Sequence, residues 1–388
     1  MDGSQQFLFP PLPVEIVFGY GTVGQLPTKL QEQGVLRPII ITDGGIEKAG
    51  ILGTVMEVLK KASIPVIAFT EVPQDSSTIS IANALAALDE GDCDGVIGLG
   101  GGSVIDTAKA VAISRTNPGN ITAYAGLNKV KQPPLPVIAI PTTAGTGSEV
   151  SCWLVFTDDA SELKMGVGGY LVFPRVAIGD PDLTVSLPPS LTASTGMDAL
   201  THAIESYTNN SYQPISDILA LRAMELIGQY LRPAATNGKD REARYGMLLG
   251  SMLAGIAMNP TRLGIAHALA MPLGSWDLKI PHGIANGILL PHVMEFNMVA
   301  NLERFAKVTG ALGECTRGLS QRMAAKKSVT VVKQLLEDIG LCEGLGAHSL
   351  TEARIPSVVA EAMKSGNIAV NTRQATESDV KAICRAAL

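Results

Sequence analysis

Alternation is the feature that most constrains this chain. In its first half, uninterrupted apolar runs at 38–43 (PIIITD), 65–72 (PVIAFTEV), 95–100 (GVIGLG) and 136–142 (PVIAIPT) are separated by helix-like segments at 51–62, 78–90 and 103–114. Runs of this length, rich in β-branched residues, suit strands buried on both faces, as in a parallel sheet. Strand–helix alternation then predicts a doubly wound open sheet, with ligands beyond the carboxyl ends of its strands. Three of the runs end on polar or Gly-rich residues: Asp43, the glycines from Gly100, and Thr142 with Thr143.

The texture changes near residue 186. LPPSLTASTGMDALTHAIES opens with a proline pair and runs into an amphipathic helical pattern, and few strand-like runs follow as far as Leu388. The chain therefore reads as an α/β domain with a parallel sheet at 1–186 and a mostly helical second domain at 187–388. The cleft between them is the expected ligand site. A length of 388 residues accommodates two such domains.

Composition removes several function classes. With 46% hydrophobic and 17% charged residues the chain is not disordered. A net charge of −6 leaves no basic footprint for nucleic acid. No apolar stretch approaches membrane-spanning length without Gly, Pro or charge. The start, MDGSQQFLFPPLP, lacks the basic and apolar regions of a secretory signal. Five scattered cysteines with no CxxC pair read as free thiols in a reducing compartment, so the expected location is the cytoplasm.

Two glycine segments compete for a phosphate-binding role. GYGTVG at 19–24 is a formal GxGxxG, and Asp43 follows Gly24 by 19 residues. However, the run at 14–18 before it contains Glu15 and reads as a half-exposed strand, so a turn into a short helix is the better reading. GGGSVIDTAK at 100–109 follows a fully apolar strand and opens a helix. Its glycines allow close backbone approach to a phosphate, and the helix start supplies unpaired N–H groups. Ser103 is the expected N-cap. PTTAGTGSE at 141–149 offers hydroxyls for the rest of a dinucleotide, or is an ordinary Ser/Thr loop. Asp43 could accept ribose hydroxyls and repel a 2′-phosphate, favouring NAD over NADP, or could cap the Asp-Gly-Gly turn.

Of the five histidines, His202 lies four residues after Asp198, placing both on one helix face. His267 sits in a second helical stretch and His282 in the turn IPHG. One carboxylate and three imidazoles could hold Fe²⁺ or Zn²⁺ with a position left for substrate. A lone histidine is as readily structural, and His292 and His348 are read that way.

GGGSVIDTAK, PTTAGTGSE, GMDALTHAIES at 196–206 and LGIAHALAMPLG…PHG at 263–283 together resemble the iron-containing (group III) alcohol dehydrogenases. The resemblance runs through nearly the whole chain. It implies an α/β N-terminal Rossmann-like, dinucleotide-binding domain with a parallel sheet and an all-α C-terminal metal-binding domain, with iron ligands at Asp198, His202, His267 and His282 that would act in catalysis through the metal. It implies a pyrophosphate loop at Gly101, Gly102 and Ser103 with Asp106 beside it. Further dinucleotide contacts fall on Asp43, Thr142, Thr143, Thr146, Lys164 and Leu183. The implied chemistry is reversible hydride transfer between NAD(H) and a small primary alcohol or aldehyde, with the metal as Lewis acid. The resemblance also implies a homodimer or larger homo-oligomer.

Many relatives carry a histidine four residues after the third ligand. Here that position is Met271, which cannot titrate, so protons would leave through water or a ribose hydroxyl. Met258 and Arg262 precede the third ligand, and Trp153 and Trp276 could wall the substrate site. Arg262 could pair with an anionic group on the substrate, or face solvent or a subunit interface. Other readings are a zinc polyol (glycerol-like) dehydrogenase, a dehydroquinate-synthase-like lyase, and an impaired NAD-binding regulator.

Overall fold

The computed structural model of the chain describes residues 7–275 and 278–388. Its described strands all precede residue 180: β1 (Glu15–Phe18), β2 (Pro38–Ile41), β3 (Ile67–Phe69), β4 (Gly95–Gly100), β5 (Gly126–Leu127), β6 (Val137–Pro141), β7 (Trp153–Asp158), β8 (Leu163–Gly168) and β9 (Val176–Gly179). Six form one sheet in the order β1-β9-β6-β4-β2-β3, every neighbour parallel. β5, β8 and β7 form a small separate sheet.

Period-two alternation assigns the faces of the large sheet. Ile39 and Ile41 of β2, Val96 of β4 and Val137 of β6 pack against α4 (Thr78–Glu90) and α5 (Gly102–Thr116). Ile40, Ile97, Leu99, Ile138 and Ile140 point the other way, onto α1 (Leu26–Glu32) and α3 (Ile51–Lys61). The runs of β2, β4 and β6 are continuous because both faces are covered, with a short α2 (Gly44–Lys48) after β2, whereas β3, expected to be buried on both faces, lies at the sheet edge and is largely exposed. β1 stays at the edge and is half-exposed, as its charged residue requires.

The rest is helical: α6 (Pro189–Thr208), α7 (Pro214–Thr236), α8 (Arg241–Thr261), α9 (Ile265–Leu273), α10 (His282–Asn297), α11 (Leu302–Ala311), α12 (Gln321–Asp338), α13 (Ile355–Ala362), α14 (Gly366–Val370) and α15 (Glu377–Ala386). One core joins α9, α10, α13 and α15 through Leu269, Leu289, Val359 and Val380. Helix α6 is buried around most of its circumference, which its Ala, Ser, Thr and Gly content permits.

The chain forms two compact units. One comprises Pro13–Pro188 with Gly238–Leu248, the other the described residues of 7–12, 189–237 and 249–388. The division at 186/187 expected from composition thus needs two exceptions. Gly238–Leu248 groups with the α/β unit because its side chains bond there. Arg244 donates to the Leu187 carbonyl at 2.9 Å, Arg241 pairs with Asp182 at 2.7 Å, and Tyr245 lies edge-on to Phe18. Residues 7–12 group with the helical unit. No described helix is long and apolar enough to cross a membrane.

Candidate metal and nucleotide sites

The helical unit brings four sequence-separated side chains together. Asp198 and His202 lie one turn apart on α6, and both are buried. His282 is the first residue of α10. That helix can start against α6 because of the glycine after it: a Cβ at Gly283 would lie 2.3 Å from the Ser194 carbonyl oxygen. Gly287, one turn on, sits against Met197 in the same way. His267 comes from α9 and is buried.

The donor atoms converge on Asp198. Its Oδ1 is 3.7 Å from His267 Nε2 and 3.8 Å from His282 Nε2. One donor atom each of Asp198, His267 and His282 lies within 4.8 Å of the other two. The His202 ring stacks on His267 with centroids 4.5 Å apart. His267 Nε2 is buried without a hydrogen-bond partner, an expensive state for a polar atom unless a ligand completes it. Burial alone would raise the Asp198 pKa, but the neighbouring His202, His282 and His267 outweigh it and hold the carboxyl well below its ordinary range. Burial likewise opposes the charged form of His267, yet Asp198 and Glu205 lift it to about 9. Metal uptake at that ring therefore competes with a proton. Asp198, His267 and His282 form the converged set, and His202 stands beside it, stacked on His267; a carboxylate with imidazoles is a donor set for a first-row divalent ion, and the residues present fit one.

Two supporting residues escaped the sequence reading. Glu205 accepts from His267 Nδ1 at 2.7 Å, and Asn286 donates to Asp198 Oδ1 at 2.7 Å while lying 3.1 Å from His282 Nε2. Spacing held the signal: Glu205 is seven residues after Asp198 on the same helix face, and Asn286 four after His282.

In the α/β unit, the N-terminus of α5 carries no side-chain cap. Its N-cap is Gly101, not Ser103 as expected. Ser103 lies inside the first turn, and its hydroxyl donates instead to the Gln74 carbonyl. None of Gly100, Gly101 and Gly102 has a positive φ, so their value is space. A Cβ at Gly101 would come 3.3 Å from Thr143 Cγ2, and one at Gly102 2.6 Å from Thr146 Cγ2. The two loops that end β4 and β6 thus close on each other, and the first-turn N–H groups of α5 lie beneath threonines. Thr142 Oγ1 is buried with no hydrogen-bond partner.

The rival GxGxxG is already filled by the protein itself. Asp180, fully buried, accepts from Gly21 N and Val23 N at 3.1 Å each, so a carboxylate occupies the place a phosphate would need. The motif is a turn into a 3₁₀ segment and α1.

Residues 192–388 match the family described as Fe-containing alcohol dehydrogenase, C-terminal, and residues 13–181 match Iron-containing alcohol dehydrogenase. The chain belongs to the iron-containing alcohol dehydrogenase family. It is 37% identical to an NAD-dependent methanol dehydrogenase of Bacillus methanolicus, over 98% of this chain and 99% of that one. It is 36% identical to a 1,3-propanediol dehydrogenase of Klebsiella pneumoniae, over 95% and 96%. A crystal structure of a 1,3-propanediol oxidoreductase superposes with a TM-score of 0.96 at 36% identity, covering 98% of this chain and all of that one. The chain is accordingly an oxidoreductase of the alcohol dehydrogenase class, and its fold is that of the family.

Within this dehydrogenase the other expected residues have definite places. Asp43 caps α2, with Oδ1 accepting from Gly45 N at 2.7 Å and Ile46 N at 3.0 Å. Asp106 has both oxygens engaged, one by Ser148 Oγ at 2.5 Å and one by Val155 N at 2.9 Å, so it ties α5 to β7. Lys164 pairs with Asp75 at 2.8 Å, and Leu183 is buried in the core beneath β9. Trp153 lies over Gly168, where a Cβ would come within 2.5 Å of its ring. In the helical unit, Met258 is half-buried on α8 and Met271 sits one turn after His267 on α9. Arg262 is exposed with a left-handed φ of 61°, its guanidinium against Gly366 at the start of α14. Trp276 lies outside the described residues. All five cysteines are free thiols.

Proposed function

We propose that this iron-containing alcohol dehydrogenase interconverts a small, uncharged primary alcohol and its aldehyde, using NAD(H) and Fe²⁺. Asp198, His202, His267 and His282 would hold the ion. The observation that carries this reading is the approach of two imidazole Nε2 atoms to one buried carboxylate oxygen, one of those nitrogens lacking any partner. When bound, the metal supplies Lewis acidity toward an alcohol oxygen and NAD supplies the hydride acceptor.

The chain's own residues bind and orient. The first-turn N–H groups of α5 after Gly101 and Gly102 would receive the pyrophosphate, under Thr143 and Thr146. Thr142 offers its unpartnered hydroxyl, and Lys164 and Leu183 would flank the dinucleotide. Asp43 uses Oδ1 for its cap, which leaves its other oxygen for ribose hydroxyls and disfavours a 2′-phosphate. Met271 holds no proton, so the alcohol proton leaves through water or a ribose hydroxyl. Zn²⁺ suits the same donors and is the alternative metal, and the family resemblance favours a homodimer.

An uncharged substrate is preferred over an anionic one for two reasons. Relatives at 36–37% identity are named for methanol, 1,3-propanediol and choline, and none of these is an anion. Arg262, the residue that raised the anionic alternative, is exposed and lies against Gly366. Anaerobic NADH consumption by the Fe²⁺-loaded enzyme across short neutral and anionic aldehydes tests this. Higher kcat/KM on the neutral members is expected. An anionic preference that vanishes in Arg262→Ala would reverse the assignment.

A further inference from the structure

Resting on the metal site proposed above, we infer that Glu205 is a positioning residue for that centre, holding His267 in the one tautomer that presents Nε2 to a metal ion. Glu205 sits on α6 three residues after His202 and is 3% exposed. Its two oxygens receive three donors. Oε2 accepts from His267 Nδ1 at 2.7 Å and from Gly264 N at 2.9 Å, and Oε1 accepts from Ala266 N at 2.8 Å. Both oxygens already accept backbone N–H groups, Oε2 that of Gly264, so this carboxylate acts as acceptor and the hydrogen on the His267–Glu205 bond belongs to Nδ1. The lone pair of the neutral ring is then on Nε2, the buried atom that has no partner and faces Asp198 Oδ1 at 3.7 Å.

The same carboxylate builds the turn that delivers the ring. Gly264, the N-cap of α9, has no side-chain cap of its own, and Glu205 supplies the missing acceptor from outside the helix. A Cβ at Gly264 would come 2.7 Å from Glu205 Oε1, so the backbone is folded directly onto the carboxylate. One side chain of α6 therefore fixes where α9 begins and how its third residue is turned. Asp198, His202 and Glu205 follow each other at i, i+4 and i+7, so a single helix supplies two candidate ligands and the orienter of a third.

The test uses Zn²⁺ as probe, with affinity read by chelator competition in the full-length chain. In Glu205→Gln the amide cannot accept from all three donors, and an Nε2-protonated His267 becomes accessible. Zn²⁺ affinity should fall about 10- to 100-fold, the cost typical of losing an outer partner of a ligating histidine. A Zn²⁺ affinity within about threefold of the parent, with only the metal-free Tm lowered, would overturn the inference and leave Glu205 as a helix cap. Should the variant fail to fold, ¹⁵N-histidine NMR of the Zn²⁺-loaded parent decides: His267 protonated at Nδ1 and metal-bound at Nε2 supports it, and metal at Nδ1 overturns it. Failure of the underlying reading looks different. A parent that takes up no Zn²⁺, or a His267→Ala variant that binds it as well as the parent, overturns the metal site and this inference with it.

Discussion

At the residue scale, the chain keeps several ionisable groups buried, and their placement sets testable energetics. Glu149, in the loop after β6, is 2% exposed with Oε1 unpartnered. Burial pushes its carboxyl up to about 7, against its backbone hydrogen bond and the Lys109 ammonium. The folded state therefore holds that proton more tightly than the unfolded chain, whose value is 4.5. Its contribution to stability is full below that value and is lost as pH rises through about 7. The unfolding free energy of Glu149→Gln relative to the parent should accordingly rise by about 2–3 kcal/mol between about pH 5 and pH 8. Denaturant titrations at the two pH values check this, and parallel curves for both proteins would refute it. The four candidate metal ligands were legible as residue types at suggestive spacings. Their supporters were not, because Glu205 and Asn286 read as ordinary polar positions until the fold sets them against His267 and Asp198.

At the level of elements, glycine acts here mostly by leaving room. The start of α10 can reach α6 only while position 283 has no side chain, since the atom it would meet is backbone. Gly283→Ala should therefore push the two helices apart, at a cost of about 1–3 kcal/mol. It should also weaken metal binding by moving His282 from Asp198. Thermal unfolding and chelator competition on that variant report the two effects, and unchanged metal affinity would show that the helix contact does not set the ligand geometry.

The buried strands β2, β4 and β6 were readable from sequence, because continuous β-branched runs are what a doubly covered sheet demands. The short β9 and the β7–β8 hairpin carried too little periodicity to announce themselves. The N-cap of α5 falls two residues before the expected Ser103, because the helix begins at Gly102, directly after β4, with Gly101 as its cap.

For the whole molecule, the α/β-then-helical order was visible in composition. The placement of Gly238–Leu248 was not, since it depends on pairings such as Arg241 with Asp182, across 59 residues. A bound metal should stabilise the folded chain by mass action, about 2.7 kcal/mol when free metal is 100 times its Kd. Metal-stripped protein should therefore melt several degrees lower and recover on adding Fe²⁺ or Zn²⁺. Identical melting curves would mean that the buried donors do not take an ion.

In the proposed function, Asp198, His202, His267 and His282 hold the metal on which NAD-linked alcohol oxidation by this family member depends. The most direct test is anaerobic NADH formation from a short primary alcohol by metal-stripped protein, before and after adding Fe²⁺, in the parent and in Asp198→Asn. The stripped enzyme should be silent, Fe²⁺ should restore activity in the parent, and it should restore none in the variant. Equal turnover by the stripped parent, or by Asp198→Asn, would contradict the proposal.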